Sequence, residues 1–357
     1  MKKIFTLLLA LLFTMGISIG ANAVNAIETD SLTKVPFEYK ITPKSPEWKT
    51  FTTVELKEKL NISLVEVENM DTETLLNVVL DYPFLGDIYA FDTSTIALNF
   101  LADQFNGLKV LLKREDFKDK LVNSYIISSH KIMKYENNEK IGGEERNKQK
   151  YREALISYPT VFNKLSNMEI NTITVASKQV APMIDTNPLI IESPTAFGLS
   201  ALASGGAVIR TGTVYTPKGK IVSVKELTEM TAADKTNANN QMAATYPNAI
   251  RLREPTYKYN CHSYAWYSTS SANLWWMNYP SNYMTDGSYL KVTTAAANDK
   301  IFWPNPGYEH SGIIKSVSGS SKTVISKWGA CGLYQHLSTQ SPYSSSYATT
   351  YWRGPQM

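Results

Sequence analysis

Residues 299–329 read DKIFWPNPGYEHSGIIKSVSGSSKTVISKWG. Short runs of β-branched and aromatic residues predict three strands in this stretch, over Asp299–Trp303, His310–Val317 and Lys322–Gly329. Only a few residues, rich in serine and glycine, separate the last two runs, which is typical of a tight hairpin turn. The sequence therefore predicts an antiparallel meander in the C-terminal part of the chain.

A second hairpin is predicted upstream, because Ala207–Tyr215 and Lys220–Val224 flank the turn Thr216-Pro217-Lys218-Gly219. A polar helix is expected to follow, from Ala232 to Ala244. Together these elements predict an α+β domain over residues 207–357.

The N-terminal half has helical rather than strand-like periodicity. Thr52 and Glu55 form a capping-box signature, and Asp71 can cap a second helix. Further helices are predicted over Ile96–Leu112 with a break at Asn106-Gly107, over Phe117–Ile132 and over Glu144–Ile156. We therefore expect a helical domain over residues 45–170. A proline-, glycine- and serine-rich linker over 171–206 would join it to the α+β domain.

The first residues have the composition of a secretory signal peptide. Two lysines precede an apolar run from Ile4 to Ile19, and Ala21-Asn22-Ala23 supplies a small-residue cleavage site. We expect residues 1–23 to be removed, which leaves an extended segment over 24–44. The apolar run is shorter than the roughly 20 residues of a spanning helix. The sequence therefore predicts a secreted or cell-envelope protein without stable membrane insertion after processing.

The charge balance argues against a polyanionic partner. The chain has 36 Lys and Arg against 32 Asp and Glu, and removing two lysines with the signal peptide leaves 34 minus 32, or +2. Such a small charge gives no electrostatic footprint for nucleic acid, which is not expected as a partner. The four histidines show no recognisable zinc spacing, so neither a metal nor an organic cofactor is implied.

Cys261 is the candidate nucleophile. Asn260 is a residue type that caps helix N-termini, which would place Cys261 in the first turn of a helix continuing to Ser268. Unpaired backbone N–H groups and the helix dipole favour thiolate over thiol at such a position. His262 would point elsewhere on the helix, so we assign it a packing or pocket role rather than that of the base.

His310 begins the second strand of the meander and is the candidate base for the thiol. A third group usually orients such an imidazole, and its identity here depends on strand register. A two-residue turn at Gly319-Ser320 places Lys327 on the face of His310, whereas a three- or five-residue loop places Ser326 there. His336 is a further candidate. We favour Ser326 or His336, because a charged lysine cannot accept the imidazole N–H.

Aromatic residues are concentrated in the last hundred residues. Six of the seven tryptophans lie there: Trp266, Trp275, Trp276, Trp303, Trp328 and Trp352. Flat rings among hydroxyl and amide side chains suit a groove for sugars or an extended peptide. The alternative, more common for any single tryptophan, is packing in the core of the sheet. Trp266, Trp328 and His262 are the candidate substrate-binding residues.

The stretch from Tyr257 to Trp328 resembles the papain-like cysteine hydrolases of bacterial cell walls, the NlpC-type and CHAP-type amidase and peptidase group. In those families a cysteine opens a helix, and a histidine followed by a small residue and an apolar run begins a strand. The matching motifs here are Asn260-Cys261-His262-Ser263 and His310-Ser311-Gly312-Ile313-Ile314. Asn298-Asp299 stands where those families have Gly-Asp, and the aromatic segment Trp275–Tyr289 resembles an insertion.

The resemblance implies an antiparallel-sheet papain-like domain with the cysteine at the N-terminus of a helix. It also implies Cys261 as nucleophile and His310 as base, while the family's polar third residue aligns only loosely with Ser326. It covers under a third of the chain and does not specify the substrate.

Three states of Cys261 are compatible with the sequence: a catalytic thiol, a disulfide with Cys331 and an inert buried thiol. The first predicts an exported hydrolase that cleaves amide or peptide bonds through an acyl-thioester, with a peptide, peptidoglycan or protein as substrate. The disulfide would remove the nucleophile. It would predict instead a secreted, non-catalytic binding or adhesion module with a hydrolase-like fold.

Overall fold

The computed structural model describes residues 37–134, 143–182 and 206–354. Glu38–Met357 form one compact unit. The predicted signal peptide lies outside the described residues, as do most of the predicted extended segment and most of the predicted linker. In the described ranges, no helix is both long enough and apolar enough to cross a membrane.

Helices make up the N-terminal region of the described chain. They are α1 (Thr53–Lys59), α2 (Leu64–Asn69), α3 (Thr72–Leu80), α4 (Ser94–Gln104), α5 (Asn106–Leu111), α6 (Phe117–Lys134), α7 (Gly143–Ile156), α8 (Pro159–Phe162) and α9 (Asn167–Val180). Short 3₁₀ turns lie at Pro46–Lys49 and Leu85–Ala90.

Side-chain caps fix the start of several helices. Thr52 and Glu55 form the predicted capping box at α1, and the Asp71 carboxylate accepts from the third N–H of α3. The break predicted at Asn106-Gly107 lies one residue earlier, at Phe105 between α4 and α5, and Asn106 and Gly107 belong to α5. Helix α9 runs to Val180, so the linker predicted from residue 171 is wrong over its first ten residues.

The C-terminal region is mixed helix and sheet, which confirms the α+β class. Its elements are β1 (Val208–Tyr215), β2 (Ile221–Leu227), α10 (Ala232–Thr245), β3 (Ile250–Arg253), α11 (Ser281–Thr285), β4 (Leu290–Val292), β5 (Lys300–Trp303), β6 (His310–Ser318), β7 (Ser321–Lys327), β8 (Leu333–Leu337) and β9 (Thr350–Arg353). Strands β1 and β2 form the predicted hairpin. The other strands form a seven-stranded antiparallel sheet in the order β3-β8-β7-β6-β5-β9-β4, which contains the predicted meander β5-β6-β7.

A β-bulge sets the register between β6 and β7. Ser318 pairs with Ser321 across the two-residue turn, but the pairing shifts by one residue between Ile314 and Ser316. Beyond the bulge Ile313 pairs with Ile325, so paired side chains there share a face. The hairpin therefore has a two-residue turn, but beyond the bulge its side chains face as they would after a loop with an odd number of residues.

The sheet packs on both faces. One face buries Ile301, Trp303, Ile314 and Val324. Against the other lie Tyr259 and Tyr264, with Leu333, Ile313 and Ile325. The segment that carries Cys261 packs on this second face, which positions the candidate nucleophile at the level of the first residues of β6.

Buried polar contacts join the helical region to the C-terminal region. The indole of Trp48 donates to the carbonyl of Thr245 at 2.7 Å. Lys57 on α1 lies 3.3 Å from Asp87, and both side chains are at most 3% exposed. Tyr246 donates its hydroxyl to both Asp87 oxygens at 2.9 Å. Independent folding of residues 45–170 and 207–357 stays a prediction.

A buried carboxyl group on α7 leads to a pH-dependent stability. Glu153 is 3% exposed and accepts from the Tyr125 hydroxyl. Burial raises its pKa from 4.5 to about 7. A raised folded-state pKa gives stability that is complete below the unfolded pKa and is lost as pH rises through the folded one. We expect wild type to lose on the order of 2–3 kcal/mol relative to Glu153→Gln between pH 4.5 and 8.

Urea unfolding of both proteins across this pH range measures the difference between their unfolding free energies. The contributions of other titrating groups cancel in this difference. Glu144→Gln, at an exposed position of the same helix, is the matched control and should follow wild type. A constant difference between wild type and Glu153→Gln would contradict the buried, protonated carboxyl.

Candidate active site

A cavity of about 580 Å³ holds the Cys261 side chain in its wall. Its lining comes from the helical region (Ala90, Phe91, Asp92), from the hairpin (Val208, Lys225, Leu227) and from the sheet region (Cys261, His262, Trp276, Glu309, Tyr343). The helical region is therefore part of the candidate site.

Asn260 fixes the backbone that carries Cys261. Its Oδ1 accepts from the backbone N–H groups of Ser263 and Met277, and its Nδ2 donates to the Met277 carbonyl. The chain then forms a five-residue π-helical turn, Ser263–Tyr267, and Ser268 is already extended. The sequence predicted a helix through Ser268; the turn ends one residue earlier, and it is π-helical because the Ser268 N–H bonds to the Ser263 carbonyl five residues back.

His262 and Trp266 both form hydrogen bonds with the hydroxyl of Ser311 on β6. The Ser311 hydroxyl lies 2.8 Å from His262 Nδ1 and accepts from Trp266 Nε1 at 2.8 Å. Burial lowers the pKa of His262 to about 3, so this imidazole is neutral at physiological pH. His262 lines the cavity, as predicted for a pocket residue.

The electrostatics at Cys261 favour the protonated thiol. Burial and, to a smaller extent, the nearby Asp92 carboxylate raise its pKa to about 12. Hydrogen bonds from the backbone N–H groups of Ser311 and His262 act in the opposite direction, as does the charge of Lys327. Desolvation outweighs the polar groups that favour the anion, so this arrangement favours the thiol over the thiolate that the sequence predicts.

His310 is fully buried and is not in hydrogen-bond contact with Cys261. Its partner across the ladder is Trp303, so strand alternation puts it on the opposite face from Ser311. Neither ring nitrogen has a hydrogen-bond partner in the described part of the chain. Burial lowers the pKa of His310 well below its usual value, and His262 and His336 lower it further. His310 therefore lies on the opposite face of β6 from the segment that carries Cys261, and it makes no hydrogen bond with the thiol.

Ser326 lies on the same sheet face as His310, because the bulge pairs it with Gly312 beyond Ile313 and Ile325. Its hydroxyl, however, is 2.8 Å from His336 Nε2 and accepts from Trp328 Nε1 at 3.0 Å. The two favoured third residues therefore contact each other and not the His310 imidazole. The parity expected from a two-residue turn alone, which placed Lys327 on this face, is wrong because of the bulge.

Lys327 is buried and binds backbone carbonyl groups. Its Nζ donates to the carbonyls of Thr256, Gly329 and Cys331 at 3.0, 2.6 and 2.6 Å. Burial lowers the pKa of Lys327 to about 7. Three carbonyl acceptors match the three N–H donors of an ammonium group, so the contacts favour the charged form.

The predicted aromatic binding residues are core residues. Trp266 is 3% exposed and Trp328 fully buried, and neither lines the cavity. Trp276 and Tyr279 line it instead. The sequence pattern could not separate them, because a stacking tryptophan and a packed tryptophan have the same local signature.

Two cavity residues had no signal in the sequence. Asp92 follows the 3₁₀ turn of the helical region; burial raises its pKa, and the Trp276 side chain donates a hydrogen bond to it. Tyr343 lies after β8 and bonds through its hydroxyl to the Ala90 carbonyl. Both reach the cavity through contacts between distant parts of the chain, which no spacing rule predicts.

Cys261 and Cys331 are both free thiols, so the structure does not contain the alternative disulfide. Among the described residues, no group of three or more His, Cys, Asp or Glu side chains is arranged to hold a metal ion. In comparisons with known proteins, the chain matches no family model, no curated protein and no solved structure.

Proposed function

We propose that this protein is a cysteine hydrolase that cleaves amide or peptide bonds, with Cys261 as nucleophile and His310 as base. The observation that carries the proposal is the position of the Cys261 thiol in the wall of a large cavity. Backbone N–H groups of His262 and Ser311 point at its sulfur. A buried cysteine with a purely structural role needs neither an adjoining cavity nor such donors.

In the proposed reaction, a His310 nitrogen takes the proton of Cys261 and the sulfur attacks the substrate carbonyl carbon. The tetrahedral intermediate collapses as the C–N bond breaks, and the leaving amine takes the proton back from His310. A water molecule, deprotonated by the same imidazole, then hydrolyses the thioester. This releases the carboxylic acid and restores the thiol.

The resting electrostatics set a condition on this mechanism. The thiol and the imidazole are both neutral, so the pair starts as a neutral couple rather than as a thiolate–imidazolium ion pair. Proton transfer then requires a direct or water-mediated contact between Sγ and His310. A rearrangement that brings these groups together is part of the proposal.

The substrate class follows from the resemblance to papain-like cell-wall hydrolases and from the shape of the cavity. We propose a peptide, peptidoglycan or protein substrate outside the cytoplasm, in line with the signal-peptide pattern. Aromatic walls at Trp276 and Tyr279 and charged groups at Asp92, Lys225 and Glu309 would bind such a chain.

Covalent trapping tests the proposal. A peptide carrying an electrophilic carbonyl is incubated with the protein, and the adduct is located by mass spectrometry. We expect the adduct on Cys261 and not on Cys331, which is fully buried and does not line the cavity. His310→Gln should reduce the labelling rate. An adduct that forms equally fast without the imidazole would remove His310 from the mechanism.

A non-catalytic binding module is the second candidate, and two observations favour it: the raised pKa of Cys261 and the absence of a Cys261–His310 hydrogen bond. This candidate predicts that peptides bind in the cavity and leave it uncleaved. Equal affinity of wild type and Cys261→Ala for a peptide that wild type does not cleave would support it.

A further inference from the structure

The His310 imidazole lies under an aromatic ring. Tyr343 stacks on it with ring centroids 3.5 Å apart and an interplanar angle of 9°. Tyr343 lines the cavity, whereas His310 does not. Two buried ring nitrogens without partners are costly, and native proteins rarely retain them without a reason.

Several contacts hold Tyr343 in this position. Its hydroxyl donates to the Ala90 carbonyl, and its ring packs on Phe91 at 5.2 Å between centroids. The Asn305 amide donates to the Tyr343 carbonyl at 3.0 Å. The helical region therefore fixes the ring of Tyr343, and the loop after β5 fixes its backbone.

The segment around Tyr343 is also attached to helix α1. The backbone N–H of Thr53 donates to the Thr339 carbonyl at 3.1 Å. The Lys57 ammonium donates to the Pro342 carbonyl at 3.3 Å. Ser341 and Ser344 close the segment on itself through their hydroxyls, 3.1 Å apart.

We propose that Thr339–Ser344 is an inhibitory strap: it covers His310 with the Tyr343 ring and withholds the imidazole from the cavity until the strap moves. The strap regulates the site described above, so its catalytic consequence rests on the proposed function. Release would let the His310 nitrogens gain partners in the cavity, whose wall holds the Cys261 thiol. The helical region, through α1 and Ala90, then controls access to the base.

The groups that face His310 keep it neutral while the strap is closed. His262 approaches from the π-helical turn, His336 from β8 and Tyr343 from the strap, and Trp303 packs beside it at 5.0 Å. No carboxylate is among the groups that shift its titration. Opening the strap would replace the Tyr343 ring by water, which solvates the charged imidazolium.

Tyr343→Ala tests the strap directly. The His310 resonance, identified by its loss in His310→Gln, is followed by NMR between pH 5 and 8. We expect no titration of His310 in wild type and a titration near the ordinary histidine value, about 6.5, in Tyr343→Ala. Tyr347→Ala is the matched control, because Tyr347 is an exposed tyrosine a few residues beyond the strap. It should behave as wild type.

Tyr343→Phe is the second variant, which keeps the ring and removes only the hydroxyl that binds Ala90. It should expose His310 partly, and it decides the test if the alanine variant does not fold. A His310 that titrates in neither folded variant would overturn the strap.

The rate of Cys261 alkylation at pH 7 separates the strap from the hydrolase. With both proposals correct, Tyr343→Ala reacts roughly tenfold faster than wild type, and adding His310→Gln removes the gain. A variant in which His310 titrates while Cys261 stays unreactive would uphold the strap and reject the hydrolase.

Discussion

Replacing Cys261 with alanine is expected to lower kcat/KM for a cleaved peptide or amide by about 10³-fold or more. Without the thiol no acyl-thioester can form, and the remaining groups offer only binding and polarisation. The measurement is release of product from peptides selected by screening a fluorogenic library and purified cell-wall fragments. Cys261→Ser should be nearly as impaired, because a serine hydroxyl is far harder to deprotonate than a thiol.

Cys331→Ser is the control for general effects of removing a thiol. Cys331 is buried beside Lys327, which donates to its backbone carbonyl rather than to its sulfur, so serine preserves that contact. Its activity should stay close to that of wild type. Full turnover in Cys261→Ala would place the reaction elsewhere and end the cysteine-hydrolase proposal.

Replacing Asp87 with alanine is expected to lower the free energy of unfolding by about 3–5 kcal/mol, because it leaves the Lys57 ammonium buried without its counter-ion. Tyr246 would lose its acceptor at the same time. Burial lowers the pKa of Lys57 and raises that of Asp87, so desolvation opposes the charged form of each group. Without Asp87, no attraction between opposite charges would offset the desolvation of the Lys57 ammonium. Urea unfolding followed by circular dichroism measures the change.

The double variant Lys57→Met with Asp87→Leu should recover much of this loss, since two apolar side chains carry no desolvation penalty. Glu73→Gln, which alters an exposed pair with Lys120, should change the unfolding free energy by under about 1 kcal/mol. A loss for Asp87→Ala as small as that for Glu73→Gln would show that the Lys57–Asp87 pair is solvated.

Local signals in the sequence predicted most of the secondary structure. The capping box of α1, the Asp71 cap of α3, the hairpin β1-β2 and the meander β5-β6-β7 depend on residues within a few positions of one another, and the structure confirms them. The helix after Asn260 was wrong in type and length. Its π-helical turn depends on Met277, which a window around Cys261 does not contain.

The register of the meander shows where sequence reasoning ends. The sequence left two parities open, with Lys327 on the face of His310 for a two-residue turn and Ser326 there for an odd loop. The structure has the two-residue turn and still places Ser326 there, because the pairing shifts between Ile314 and Ser316. A bulge inserts one residue into a strand without changing the turn, and no residue type in this stretch predicts its position. Sharing a face also did not make Ser326 a partner of His310, since His336 lies closer to its hydroxyl.

The sequence predicted Cys261 and His262 as site residues, but it did not predict the cavity residues Asp92 and Tyr343. Cys261 and His262 both line the cavity. Asp92 and Tyr343 reach it only through tertiary contacts. Their roles could be assigned only after the chain between residues 90 and 343 had been placed.

The bond between Tyr343 and Ala90 joins residues 253 positions apart. Contacts of such long sequence separation form late in folding, because the entropy of closing the loop must be overcome first. A ribosome or a translocation channel would release Ala90 long before Tyr343 emerges. During that interval Tyr343 would neither line the cavity at Cys261 nor stack on His310. The emergence of the segment that carries Tyr343 would therefore decide when the thiol becomes protected from its surroundings.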